Sequence, residues 1–191
     1  MADTATDDVT PRRARRALQQ LIDEHVADRS DTFFMNRRHY NVRALGAAAK
    51  RTFEDRRSQM NGLERNALSA STFGEVANFI KSQLGRSTQA GEDWRGENFG
   101  YDLLAALEGD PEDPSDTGIA GEAEGHAPKV LEALDDTFMD ALQKEDESSR
   151  DVERRLEQEV ERRLRLAYTR EFIGHVVAHY KYLVSTELAD A

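Results

Sequence analysis

The chain has 191 residues, 38% hydrophobic and 33% charged, with a formal net charge of −11 and no cysteine. Such a length supports one domain with a core of its own, but the polarity makes that core thin and built from narrow apolar stripes. The absence of cysteine excludes disulfides, thiolate metal sites and a cysteine nucleophile. No apolar run approaches the ~20 residues that cross a bilayer, and Met1–Thr10 is too acidic and polar for a signal peptide, so a cytoplasmic protein without a membrane partner is expected.

Residues 1–9 read as disordered, and residues 10–191 as a single helical domain. Thr10-Pro11 is a helix start, a capping residue before a proline suited to the first turn. Ala14, Leu18, Leu21, Ile22 and His25 follow at helical spacing, which predicts a helix to about Ala27. The segment from Thr32 to Tyr40 mixes aromatics with Arg37, Arg38 and His39. A second helix is predicted from about Asn41 to Gln59, with Leu45, Ala48, Ala49 and Phe53 inward and Asn61-Gly62 as its stop. Thr72-Phe73-Gly74-Glu75 fits a capping box. It opens a third helix whose stripe is Phe73, Val76, Ala77, Ile80 and Leu84, with Gly85 as its cap.

Residues 86–126 read mostly as loop, interrupted by a short helix from Phe99 to Leu107, with 109–126 as a mobile acidic insertion. Pro128 opens the next predicted helix, to about Lys144. Ser148 or Ser149 then opens a long last helix reaching about Leu188. The first half of that helix has one seam, Val152, Leu156, Val160 and Leu164; its second half is apolar nearly all round and belongs in a core. The fold expected is therefore all-α, a bundle of five or six helices with a long C-terminal helix and an acidic loop insertion.

The charge is unevenly spread. Residues 1–86 hold 15 basic and 11 acidic groups, residues 87–149 hold 3 and 18, and residues 150–191 hold 8 of each. The acidity, with arginine far outnumbering lysine, is the composition of a halophilic protein, so the acidic surface serves solubility first. A basic half kept within such a chain points to an anionic partner. Arginine binds phosphate through two parallel N–H groups, and a neighbouring aromatic ring can stack on a base. On this ground Arg12, Arg13, Arg16, Arg37, Arg38, Tyr40, Arg43 and Arg51 are the candidate RNA-binding residues. The competing reading pairs these arginines with carboxylates of the same chain.

Enzyme signatures are missing: there is no phosphate-binding glycine loop, no GxSxG elbow and no HExxH. No catalytic residue and no cofactor is expected. One metal-like spacing exists, Glu171, His175 and His179, which lie four apart on one helix face. A di-iron bundle would need Glu-x-x-His motifs from two helices, which the chain lacks. The balance favours histidines packed in a helix interface.

The run Phe172-Ile173-Gly174-His175-Val176-Val177-Ala178-His179-Tyr180-Lys181-Tyr182 resembles the closing helix of the small helical subunit of type III CRISPR effector complexes. The segment Leu68-Ser69-Ala70-Ser71-Thr72-Phe73 is similar to the start of an early helix there. The resemblance implies a small α-helical bundle without catalysis. Copies of it would stack along a complex and offer basic residues to guide and target RNA, making RNA, other subunits and a second copy the expected partners. Two alternatives stay open: a protein-only scaffold that meets its partner through the Val152–Leu164 seam, and a metal-binding bundle built on Glu171, His175 and His179.

Overall fold

The computed structural model describes residues 9–36, 41–86, 89–144 and 147–190. Among these the protein is all-α, as expected, but with nine α-helices rather than five or six. α1 spans Pro11–Asn36, α2 Val42–Phe53, α3 Arg57–Ser69, α4 Phe73–Leu84 and α5 Gln89–Arg95. A 3-10 turn, Gly96–Asn98, leads into α6, Phe99–Glu108, followed by α7, Gly118–Glu132, α8, Asp136–Leu142, and α9, Ser149–Asp190.

Several boundaries differ from the sequence reading, each for a physical reason. α1 runs nine residues past Ala27 because nothing between Asp28 and Asn36 is a glycine or proline that would stop it. Asn61-Gly62 does not end a helix; it lies inside α3. The break comes earlier, at Glu54, whose φ is 52°. Long-range and local partners hold it there: the Tyr180 hydroxyl donates to the Glu54 carbonyl at 3.0 Å, and Arg56 Nη2 donates to the Thr52 carbonyl at 3.0 Å. Thr72 caps α4 as predicted, its Oγ1 accepting from the Glu75 N–H at 3.3 Å. The Glu75 carboxylate reaches back to the N–H of Ser71, one residue earlier than a strict capping box requires.

The stretch from 86 to 126 is mostly helical, not loop. α5 is anchored by Trp94, wholly buried, with its ring 5.7 Å from Phe53, 6.0 Å from Phe79 and 5.5 Å from Phe99. The insertion expected over 109–126 shrinks to 109–117, since α7 begins at Gly118. That loop is pinned by the Asp110 N–H on the Asp116 carbonyl at 3.0 Å. Its two ends close backbone to backbone. Gly118 has φ +64°, and a Cβ there would sit 2.3 Å from the Gly109 nitrogen. Pro128 does not open a helix but lies inside α7, and the next start is made by Asp135, whose side chain accepts from Thr137 N–H at 2.9 Å.

α9 is the axis of the bundle, 42 residues long, which is about 63 Å at 1.5 Å per residue. α1, α2, α3 and α7 pack along it. Gln19 meets Arg163 at 3.0 Å and the His25 ring lies 6.4 Å from Tyr168, so α1 runs parallel to α9. Arg170 reaches the Ala67 and Ala70 carbonyls while Lys181 pairs with Glu64, so α3 runs antiparallel to it. Val152, Leu156, Val160 and Leu164 are all buried within the chain's own core, together with Tyr168, Phe172, Val176, Tyr180 and Val184. The seam is therefore not on offer to a partner, which corrects the scaffold reading built on it. Among the described residues no helix is long and apolar enough to cross a membrane.

Candidate nucleic-acid interface

The basic residues fall into two separate places. α1 opens with Arg12, Arg13, Arg15 and Arg16, all exposed around the buried Ala14. The side chains of Arg12, Arg15 and Arg16 make no hydrogen bond or ion pair among the described residues, and the Arg13 N–H donates to Thr10 Oγ1 at 3.4 Å. α2 opens with Arg43, exposed and likewise without an ion pair among the described residues. The Asn41 side chain caps that helix, accepting from the Ala44 N–H at 2.9 Å. Neither α1 nor α2 has an acidic residue in its first turn. Positive charge at a helix start opposes the backbone dipole, at a cost of about 0.3–1 kcal/mol for each exposed charge. Among the described residues no carboxylate pairs with Arg12, Arg15, Arg16 or Arg43.

The remaining candidates behave differently. Arg51 is drawn to Glu97, Nε to Oε2 at 3.0 Å, with both side chains about half exposed, an ion pair worth little in water. Arg37, Arg38 and Tyr40 lie outside the described residues. The structure does not bring the two places together. Gln19 contacts Arg163, and Arg43 lies close enough to His179 to depress its basicity. Those two α9 residues are sixteen positions apart, roughly 24 Å along the helix, and the α1 arginines lie further toward the α9 start.

Elsewhere the arginines have internal duties that the sequence did not reveal. Arg56 forks onto Asp93 at 2.6 and 3.3 Å, and Arg170 holds two backbone carbonyls at the end of α3. Their partners are 37 and about 100 residues away, so no local pattern could have marked them. The metal-like trio also separates by role. Glu171 is exposed. His179 packs against Gly46 of α2 and lies near-parallel to Tyr182, with ring centroids 6.3 Å apart. Burial, and then the charge of Arg43, lower its pKa. Among the described residues no group of three or more His, Asp or Glu side chains converges as metal ligands. The chain matches no protein-family model, no curated protein and no solved structure.

Proposed function

We propose that this chain is a non-catalytic helical subunit of a ribonucleoprotein effector complex, contacting a guide or target RNA strand through its arginine-rich N-terminal half. The observation that carries this reading is the pair of helix starts at which Arg12, Arg15 and Arg16 on α1, and Arg43 on α2, have no counter-charge among the described residues. Internal pairing, the competing reading, accounts for Arg51 and Arg56. It does not account for those four. A phosphate at either start would meet guanidinium donors and the favourable end of a helix dipole together. The resemblance of the closing helix to the small subunit of type III CRISPR effectors supports the same class of partner.

The test is RNA binding by the purified chain. A fluorescent oligouridine should bind weakly at low salt, with little preference over other sequences. Charge removal at Arg37, Arg38 and Arg43 should weaken it and flatten its dependence on salt. Unchanged binding by that triple variant would assign the basic half to another role.

A further inference from the structure

A groove of about 510 Å³ runs between the start of α4 and the middle of α9. Phe73, Gly74 and Leu166 give it an apolar surface, while Arg162, Arg163 and Arg165 line it with charge against the single carboxylate of Glu159. That size and that mixture, mostly apolar with a few polar groups, suit a small molecule. Not all three guanidiniums are equally available. Arg163 is held by Glu159 and by Gln19, and Arg165 pairs with Glu161. Arg165 Nε is nevertheless buried without an acceptor among the described residues, a state that buried polar groups rarely keep. Arg162 uses only its Nε, on the Gln158 carbonyl at 3.2 Å, so both of its Nη groups remain for a ligand. The helix end is not the attraction, because the Thr72 hydroxyl and the Glu75 carboxylate already serve the start of α4.

Arg163 and Arg165 are offset by Glu159, Glu161 and Glu124, so in a chain of net charge −11 the groove's attraction for an anion rests on Arg162. A fully hydrated inorganic ion would gain nothing from Phe73 and Leu166. We infer that this groove binds a small amphipathic carboxylate, its carboxylate on Arg162 and its apolar body between Phe73 and Leu166. The inference goes beyond the RNA reading and does not depend on it.

The probe is decanoate, titrated calorimetrically at low salt into the full chain, with decanol and inorganic sulfate as controls. Decanoate should bind saturably; decanol should bind about tenfold or more weaker, since one charge-assisted contact is worth about that factor, and sulfate weaker too, since it has no apolar body to bury. Arg162→Gln should weaken decanoate by a similar factor and leave decanol unchanged. Gly74→Leu is the second variant. A Cβ at Gly74 meets only Thr72 Oγ1, at 4.0 Å, so the side chain enters open space and should block the groove without lowering the melting temperature. The inference is overturned if decanol binds as tightly as decanoate, if neither variant weakens decanoate, or if the parent chain shows no saturable binding.

Discussion

His25 Nε2 and His126 Nδ1 stand 2.8 Å apart, joining α1 to α7 by an imidazole–imidazole hydrogen bond. Tyr168 of α9 closes the cluster, its ring centroid 6.4 Å from each histidine. One ring must donate and the other accept, so at least one of them is neutral. Burial, then the charges of Arg29 and Lys129, push His126 down to about 4 and lower His25 as well. Two carboxylates act in the other direction: Asp28 raises His25, and Glu122 Oε2 lies 3.6 Å from His126 Nε2. The net folded-state pKa of both histidines still lies below the unfolded value of 6.5.

The sign of the pH dependence follows. Between pH 6.5 and about 4 the unfolded chain binds protons that the folded His126 refuses, so stability is full above 6.5 and falls as the pH drops. His126 is buried, so its shift should account for up to roughly 3 kcal/mol of that loss. Urea midpoints of the parent and of His25→Leu/His126→Leu, measured from pH 7.5 to 4, check this. The double variant should lose distinctly less stability over the interval. Parallel curves would mean that the histidine pair does not titrate with folding.

Gly46 and Gly62 should respond oppositely to alanine. A Cβ at Gly46 would lie 2.7 Å from His179 Cδ2 and 3.0 Å from His179 Cβ, so α2 and α9 approach closely only because that atom is missing. Gly46→Ala should destabilise by about 1–3 kcal/mol through overpacking. Gly62 lies inside α3 with nothing within 4 Å of its Cβ position. Gly62→Ala should stabilise by about 0.5–1 kcal/mol through helix propensity alone. Thermal melts separate the two, and a stable Gly46→Ala would show that the α2–α9 crossing has slack.

Arg155 and Arg154 are neighbours in sequence but not in role. Arg155 Nε and Nη2 grip the Glu147 carboxylate at 2.8 and 2.9 Å, while Nη2 also donates to the Leu142 carbonyl at the end of α8. Arg154 is exposed. The melting temperature should fall for Arg155→Lys, because an ammonium cannot reproduce the planar fork, and hold for Arg154→Gln. The hydrogen bonds from Arg155 hold the Glu147 carboxyl at about 2. The stability tied to that group is present above its ordinary value near 4.5 and is lost only as pH falls toward 2. That window lies below the one set by the histidines, so the two effects separate on a pH axis.

Periodicity made much of the fold legible. The seam from Val152 to Leu164, the Thr72 cap and the short helix from Phe99 are where apolar spacing and capping residues put them, because those signals act within one turn. What failed depends on distance. Asn61-Gly62 looked like a stop, but the break was decided at Glu54 by Tyr180, 126 residues away. Residues 86–98 looked polar and loose, yet the burial of a single residue, Trp94, organises α5. The candidate interface was half legible. Charge bias marked the N-terminal arginines, but their separation into two places follows only from α1 lying parallel to α9. The α4–α9 groove was not legible at all, since its arginines and Phe73 are about 90 residues apart.

The separation of the two basic places sets the form of RNA binding. Sites roughly 24 Å or more apart along α9 share no contacts, so their free energies should add. A very short oligouridine of about two or three nucleotides can occupy only one place, whereas a long strand can reach both, with the second contact made effectively intramolecular. Affinity should therefore rise steeply with RNA length in the parent. It should rise much less in Arg12→Gln/Arg15→Gln/Arg16→Gln, where one place is removed. Each lost phosphate contact should flatten the dependence of log affinity on log salt by about 0.7, so removing the α1 cluster should flatten it more than Arg43→Gln alone. In molar salt the Debye length is near ~3 Å, and only close guanidinium–phosphate contacts would survive. Arg65→Gln/Arg86→Gln, on exposed residues of α3 and just after α4, is the control and should leave both length and salt dependence unchanged. If the control weakens long RNA as much as the α1 variant does, the binding is unspecific attraction to any positive surface, and the two helix starts are not the interface.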